Sequence, residues 1–268
     1  MLRESVCVVG LGGIGHAMAS RLDERGWTVV GVEPDDGRRT AWLESGARTA
    51  HRDLGSVDWS GIGHLVVAVR TEEQVTQVLA ACAAAPTSLR ILLVSTVRPS
   101  FWRRPLPAPL ELGRVVECPV SGGERPARDG TVAMYAAGWR EEEDGALLAD
   151  LSDSIVTLPR HGDPALVKLV NNTLAAYNAA NAARCLEFVT SQGVAGEDFL
   201  RALGRGSGRS HASAILHLLS RNQLELLEKD VRLLREDHPQ APRPAEPAEL
   251  ADLVASALGE IADPAAVV

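Results

Sequence analysis

Val6-Cys7-Val8-Val9-Gly10-Leu11-Gly12-Gly13-Ile14-Gly15-His16 is the stretch whose reading decides the rest of the chain. An apolar, β-branched run ends on a glycine, and Gly10, Gly12 and Gly15 then fall in the spacing G-x-G-x-x-G. The first glycine of that pattern permits a tight turn, and the second lets the backbone approach a pyrophosphate. The third lets the following helix pack close to the strand. A helix, read here over 16–25, offers free N–H groups and the positive end of its dipole to an anion. Glu33 stands 18 positions beyond Gly15, just after a second strand at 28–32. A carboxylate there hydrogen-bonds the ribose hydroxyls of an adenine dinucleotide. Gly10, Leu11, Gly12, Gly13, Ile14, Gly15 and Glu33 are therefore the expected cofactor-binding set. A carboxylate at 33 repels a 2′-phosphate, which favours NAD over NADP, although Arg38 and Arg39 lie close enough along the chain to meet such a phosphate.

Working outward, apolar strands read at 65–69 and 91–94 flank a helix over 72–85. Continuous apolar strands alternating with helices indicate a parallel sheet covered on both faces. Residues 115–116, 132–137 and 155–158 read as further, partly antiparallel strands. Past residue 160 the pattern changes. Residues 164–192 hold no internal glycine and no proline beyond the first residue, and predict one long helix. Shorter helices follow at 197–204, 210–220, 222–236 and 248–261, with a proline-rich connector at 238–247. The fold class is α/β: an N-terminal Rossmann-like doubly wound sheet over 1–160, joined by the long helix to an all-α domain over 161–268.

The composition fits a globular chain and narrows the function. Of 268 residues, 46% are hydrophobic and 23% charged, with a formal net charge of −8. An acidic balance without a basic block argues against nucleic acid or an anionic membrane as partner. Residues 6–20 carry no charge, but four glycines interrupt them and Glu4 precedes them. They are no spanning helix, which needs roughly 20 apolar residues. Cys7, Cys82, Cys118 and Cys185 form no C-x-x-C pair, consistent with a reducing cytoplasm. The seven histidines show no ligand spacing, so no metal is expected. The acidic run Glu141-Glu142-Glu143-Asp144 is expected at a helix start or facing water, and Cys118 as a buried small residue.

Five segments in order resemble the β-hydroxyacid dehydrogenase family, typified by 3-hydroxyisobutyrate dehydrogenase. They are the glycine turn running into His16-Ala17-Met18-Ala19, Val94-Ser95-Thr96-Val97, and Pro119-Val120-Ser121-Gly122-Gly123 with Gly130-Thr131. Lys168-Leu169-Val170-Asn171-Asn172 and Lys229-Asp230 complete the set. The resemblance implies an NAD(P)-dependent oxidoreductase acting on a small 3-hydroxy acid or its semialdehyde. Lys168 would be the catalytic acid/base and Asn172 would orient the substrate. Ser121, Gly122 and Gly123 would hold the substrate carboxylate. Thr96, with the strand-end residues Val69 and Arg70, would flank the nicotinamide ribose, and Lys229 would close over the cofactor or substrate.

Elementary chemistry supports part of this. Lys168 and Asn172 are four apart, so they project from one helix face. An ammonium and an amide would converge on one oxygen, and a lysine can donate or accept the proton if its pKa moves towards neutrality. Lys229-Asp230 read as a surface pair ranks lowest among these segments. The chain also departs from the family. It is shorter, with the loss read between His211 and Leu227 and at the C-terminus. Glu117-Cys118 stands in place of Asp-Ala, Glu124-Arg125-Pro126 makes a charged rim, and Pro164 and Arg184 replace Gly and Glu. The shortened helical part and the Ala-rich long helix imply apolar surface completed by a second copy, a homodimer. Alternatives are an imine reductase, against which Lys168 counts, and a non-catalytic dinucleotide-binding protein. A 6-phosphogluconate dehydrogenase would be longer and carry His at position 171.

Overall fold

Side chains alternate across a strand, so in β1 (Ser5–Val9) Val6 and Val8 face one way, Cys7 and Val9 the other. All four are buried, which demands a covering layer on each side. The structure, a computed structural model, describes residues 5–46, 49–82 and 85–243. Its main sheet adds β2 (Thr28–Val32), β3 (Thr49–His51), β4 (Ile62–Val67), β5 (Arg90–Leu93) and β6 (Val115–Glu117). The order is β3-β2-β1-β4-β5-β6, with every pairing parallel. This doubly wound sheet reverses direction between β1 and β4. Ligands of such sheets bind outside the carboxyl ends of the strands at that reversal.

Two layers supply the cover. On one face, Met18 and Leu22 of α1 (Gly13–Glu24) pack with Leu147, Leu148 and Leu151 onto Val6, Val8, Val66 and Leu92. On the other, Val75 and Leu79 meet Cys7, Val9, Leu65 and Val67. α2 (Asp36–Glu44) follows β2, α3 (Glu72–Ala81) carries Val75 and Leu79, and α4 (Glu124–Asp129) precedes α5 (Glu141–Leu151), which carries the three leucines. A small second sheet joins β7 (Val120–Ser121) antiparallel to β8 (Ala133–Ala136), and β8 parallel to β9 (Ser154–Thr157).

The long helix α6 (Asp163–Ser191) leaves this layer structure and carries α7 (Gly196–Leu203), α8 (His211–Ala214) and α9 (Arg221–Asp237). α9 packs along α6. Its C-terminal end is also pinned to the sheet half. Asp237 accepts hydrogen bonds from the Ser100 N–H and hydroxyl, both at 2.7 Å. Arg98 pairs with Glu72 at 2.8 Å and reaches Glu236 at 3.6 Å.

Some expectations shift. α1 starts at Gly13, three residues before the sequence reading, because the glycines allow helix and strand to close together. β3 and β7 have no counterpart in the sequence pattern; each is too short to show a period. The helix read over 210–220 is a four-residue turn, α8, followed by a 3-10 turn at Leu216–Leu218. Ser220 then caps α9, accepting from the Gln223 N–H. The acidic run does start α5, but Asp144 is not solvated. It is buried against Arg90, with Nε at 3.0 Å and Nη2 at 2.5 Å, and accepts the Arg140 N–H at 2.8 Å. These bonds hold it well below the usual carboxylate range, to about 2, although burial alone would raise it. The helix read over 248–261 lies outside the described residues. No helix among the described residues is long and apolar enough to cross a membrane.

Candidate active site

The glycine turn closes as its spacing requires. Gly10 has φ +88, and a Cβ there would stand 2.5 Å from the Ala68 carbonyl oxygen. A Cβ on Gly15 would stand 1.8 Å from the Gly10 carbonyl oxygen, so only glycine lets α1 approach β1 this closely. Gly12 is the N-cap of α1 and supplies no side-chain cap; the Glu124 carboxylate lies over Gly13, so a phosphate at this helix start would have to displace that side chain. His16, Arg38, Glu124, Arg125 and Arg128 line the groove in front of it; burial lowers the His16 pKa, so the three arginines carry its positive charge, with the Glu124 carboxylate set against them. Glu33 is 4% exposed at the end of β2. One of its oxygens accepts the Leu11 N–H at 2.8 Å and the other the Asp35 N–H at 3.1 Å. The carboxylate thus braces the turn and keeps spare lone pairs for further donors. Arg38 lies 4.0 Å from it and is mostly exposed, whereas Arg39 is tied to the Glu33 carbonyl at 2.8 Å and to Asp36. These residues fit an adenine dinucleotide.

Strand ends carry the next residues. Ser95, after β5, accepts the Val69 N–H at 2.8 Å, which joins the loops beyond β4 and β5. Arg70 begins the capped turn into α3, its N–H donating to Gln74 at 2.9 Å. Thr96, one residue past Ser95, accepts a hydrogen bond from Lys168 of α6. A lysine 6% exposed in an apolar segment needs partners, and it has two. The second is Asp230 of α9, with Nζ 3.0 Å from Oδ2. Asn172, one turn along α6, donates to the same oxygen at 2.7 Å. Its carbonyl oxygen accepts the Ser121 hydroxyl at 3.2 Å, and Asn171 donates to that hydroxyl at 3.3 Å. Gly122 and Gly123 follow with φ +137 and +87, and Gly123 caps α4.

Thr96, Lys168, Asp230, Asn172 and Ser121 therefore form one polar chain from beyond the carboxyl end of β5 across α6 to the second sheet. Lys229 stands at its rim, 25% exposed, 3.4 Å from Asp230. Burial pulls the Lys168 ammonium below its usual range; Asp230 opposes this and Lys229 adds to it. Burial also works against the Asp230 charge, but the two ammonium groups outweigh it and hold that carboxyl low. The outcome is an anionic aspartate beside a lysine whose proton is loosened.

Residues 5–152 match the NAD binding domain of 6-phosphogluconate dehydrogenase. The chain belongs to that family. Its first half is an NAD-binding domain, and the protein is an NAD(P)-dependent oxidoreductase. The match covers the sheet half and stops before Asn171, so it bears on the cofactor and not on the helical part. Over 212 residues the chain is 26% identical to 2-(hydroxymethyl)glutarate dehydrogenase of Eubacterium barkeri, covering 76% of this chain and 69% of that one. The fold is similar to that of 3-hydroxyisobutyrate dehydrogenase from Salmonella typhimurium, with a TM-score of 0.76 at 19% identity, covering 96% and 95% of the two chains. It is also similar to that of a reductive aminase from Aspergillus terreus in complex with NADPH, with a TM-score of 0.62 at 22% identity over 96% and 94%.

Asp230 is the site residue that sequence reasoning undervalued. It is 2% exposed, not part of a surface pair. A signal for it was present: the chain has only two lysines, Lys168 and Lys229, and both reach this carboxylate.

Proposed function

We propose that this protein moves a hydride between the nicotinamide of NAD(P) and a small 3-hydroxy acid or its semialdehyde, with Lys168 as the general acid/base. The observation that carries this reading is the buried Lys168, held by Thr96 at a strand end and by Asp230 in the crevice where α/β sheets take ligands. The bound cofactor supplies or receives the hydride at the carbinol carbon. The Lys168 ammonium gives its proton to the substrate oxygen in reduction, and the amine takes it back in oxidation. Thr96 and Asp230 fix where Nζ points. Asn172 orients the substrate oxygen, and Ser121, Gly122 and Gly123 receive the substrate carboxylate, two glycines leaving backbone N–H groups accessible. Val69 and Arg70 flank the nicotinamide ribose beside Thr96. Lys229 screens the cofactor or the substrate carboxylate from the rim. Glu33 favours NAD, since its buried carboxylate repels a 2′-phosphate.

The same reading divides the chain near residue 160 into a cofactor domain, 1–160, and a helical substrate and dimerisation domain, 161–268. Support for a homodimer comes from Val167, Val170 and Leu174, which follow one helical face of α6 and are 37%, 43% and 58% exposed. A cytoplasmic location suits Cys7, Cys82 and Cys118, which are buried as free thiols.

Absorbance at 340 nm tests the chemistry, with NADH and NADPH against small semialdehydes and keto acids. Lys168→Ala should lower kcat by about 10³-fold while cofactor binding, followed by fluorescence, is retained. Unchanged turnover in that variant would overturn the assignment. Cofactor binding without turnover in the wild type would favour a non-catalytic binding protein.

A further inference from the structure

Glu117 is a buried carboxylate that the chemistry above does not use. It ends β6, is 1% exposed, and lies four residues before Ser121. Its side chain turns to the start of α6. Oε2 accepts the Gly162 N–H at 2.5 Å and Oε1 the Ala165 N–H at 3.0 Å. The first turn of α6 is then fully accounted for. The Asp163 N–H bonds to the Arg160 carbonyl at 3.1 Å, Pro164 has none, and the Leu166 N–H bonds to Gly162 at 3.0 Å. The one donor left, on Ala165, is the one Glu117 takes. Pro164, the departure noted in the sequence, thus removes a donor that would otherwise compete for this carboxylate.

Lys168 sits on the same helix, three residues beyond Ala165. One side chain thus links the end of strand β6 to the lysine helix. We propose that Glu117 is a positioning residue for Lys168: its carboxylate anchors the first turn of α6 so that Nζ meets Thr96 and Asp230. This rests on the reading of Lys168 as the acid/base. An anchor of this kind responds to protonation, because a carboxylate accepts two charge-assisted bonds and a neutral carboxyl holds them less well. Burial pushes Glu117 up to about 7, against the two backbone N–H groups that lower it. The groups around it are Trp102 from the turn after β5, Asp163 from α6, and Cys118 and His161 from the flanking chain. Asp163 adds to the upward shift and is itself paired with Arg160 at 3.2 Å. Cys118 is buried with its thiol pushed up, so it stays neutral in this range. The His161 ring is engaged with the Val115 carbonyl at 2.9 Å.

The two-lysine composition makes this testable without a substrate. With lysine labelled by 13C at Cε, the full chain gives one signal each for Lys168 and Lys229, assigned by Lys229→Arg. Titrated from pH 5.5 to 9.5, the Lys168 signal should show an inflection near pH 7 besides its own deprotonation. Glu117→Gln should remove that inflection, and Glu117→Asp should keep it. Once a carbonyl substrate is found, Glu117→Gln should lower kcat about tenfold at pH 8 with the cofactor KM unchanged. A Lys168 signal without the inflection, or one that keeps it in Glu117→Gln, overturns the proposal. Absence of turnover with the inflection present would instead fault the dehydrogenase reading and leave the positioning intact.

Discussion

The two halves of this molecule are stabilised in different ways. In the sheet half, alternate residues of each strand enter separate cores, and Leu22, Leu65, Leu79, Ile91 and Leu93 are all fully buried. In the helical half, α7 buries no residue, and Phe188 and Leu218 are each 66% exposed. Its buried apolar side chains past Ala165 are mainly Leu169, Ala179, Ala182, Ala212 and Leu234 among the described residues. Beside them it buries four polar or charged residues, Lys168, Thr173, Ser213 and Asp230. The sheet half is held by apolar area. The helical half is held by a charged cluster and by its attachment to the sheet.

The charged cluster is where this contrast breaks most easily. Asp230→Ala leaves the buried Lys168 ammonium facing Thr96 with no counter-charge, which costs about 3–5 kcal/mol. Urea unfolding should show that loss, and Lys168→Met in the same chain should recover much of it. Equal losses in the single and double variants would mean that the pair does not hold α9 to α6. Next in size is a matched pair of truncations. Leu65→Ala, in a strand core, should cost about 3 kcal/mol, and Leu203→Ala, half-buried on α7, about 1 kcal/mol or less. Similar losses at both positions would give the helical half an apolar core of its own.

How far the sequence carried follows the same division. The sheet half was legible because apolar β-branched runs and the glycine turn are local signals: the strand at 28–32 is β2 as read, and α6 falls within one residue of its expected ends. β3 was illegible because Thr49-Ala50-His51 has no apolar alternation and takes its strand form from pairing with β2. Ser121, Lys168 and Asn172 were found through motif resemblance, and the structure brings them together. Asp230 is hidden in the sequence because α9 alternates charges along its length, which reads as a solvated face. Only the packing of α9 on α6 buries that one carboxylate. Asp144 was hidden in the same way within an acidic run. Burial of a charged residue is a tertiary fact, and local pattern does not encode it.

The exposed stripe offers a smaller effect on the same contrast. Leu174→Glu places a charge at the most exposed of the stripe residues Val167, Val170 and Leu174 of α6. If two copies meet there, the variant should weaken the dimer by about 2 kcal/mol, or roughly 30-fold in dissociation constant. Sedimentation at micromolar concentration reads this directly. A wild-type chain that is monomeric at that concentration would remove the partner from the argument and leave α6 exposed.

Glu117 stands at the joint between the halves and gives the smallest shift, with a defined sign. Its folded pKa of about 7 lies above the ordinary 4.5, so the folded protein binds the proton more tightly than the unfolded chain. Such a group contributes stability that is fully present below 4.5 and is lost as pH rises through 7. Relative to Glu117→Gln, the wild type should therefore lose about 1 kcal/mol between pH 6 and pH 8. Urea unfolding of both proteins at the two pH values measures the difference. The ionised anchor that orients Lys168 would then be the less stable form of the joint, kept for position and not for stability. A difference that does not change with pH would place the Glu117 ionisation outside this window and detach it from the orientation of α6.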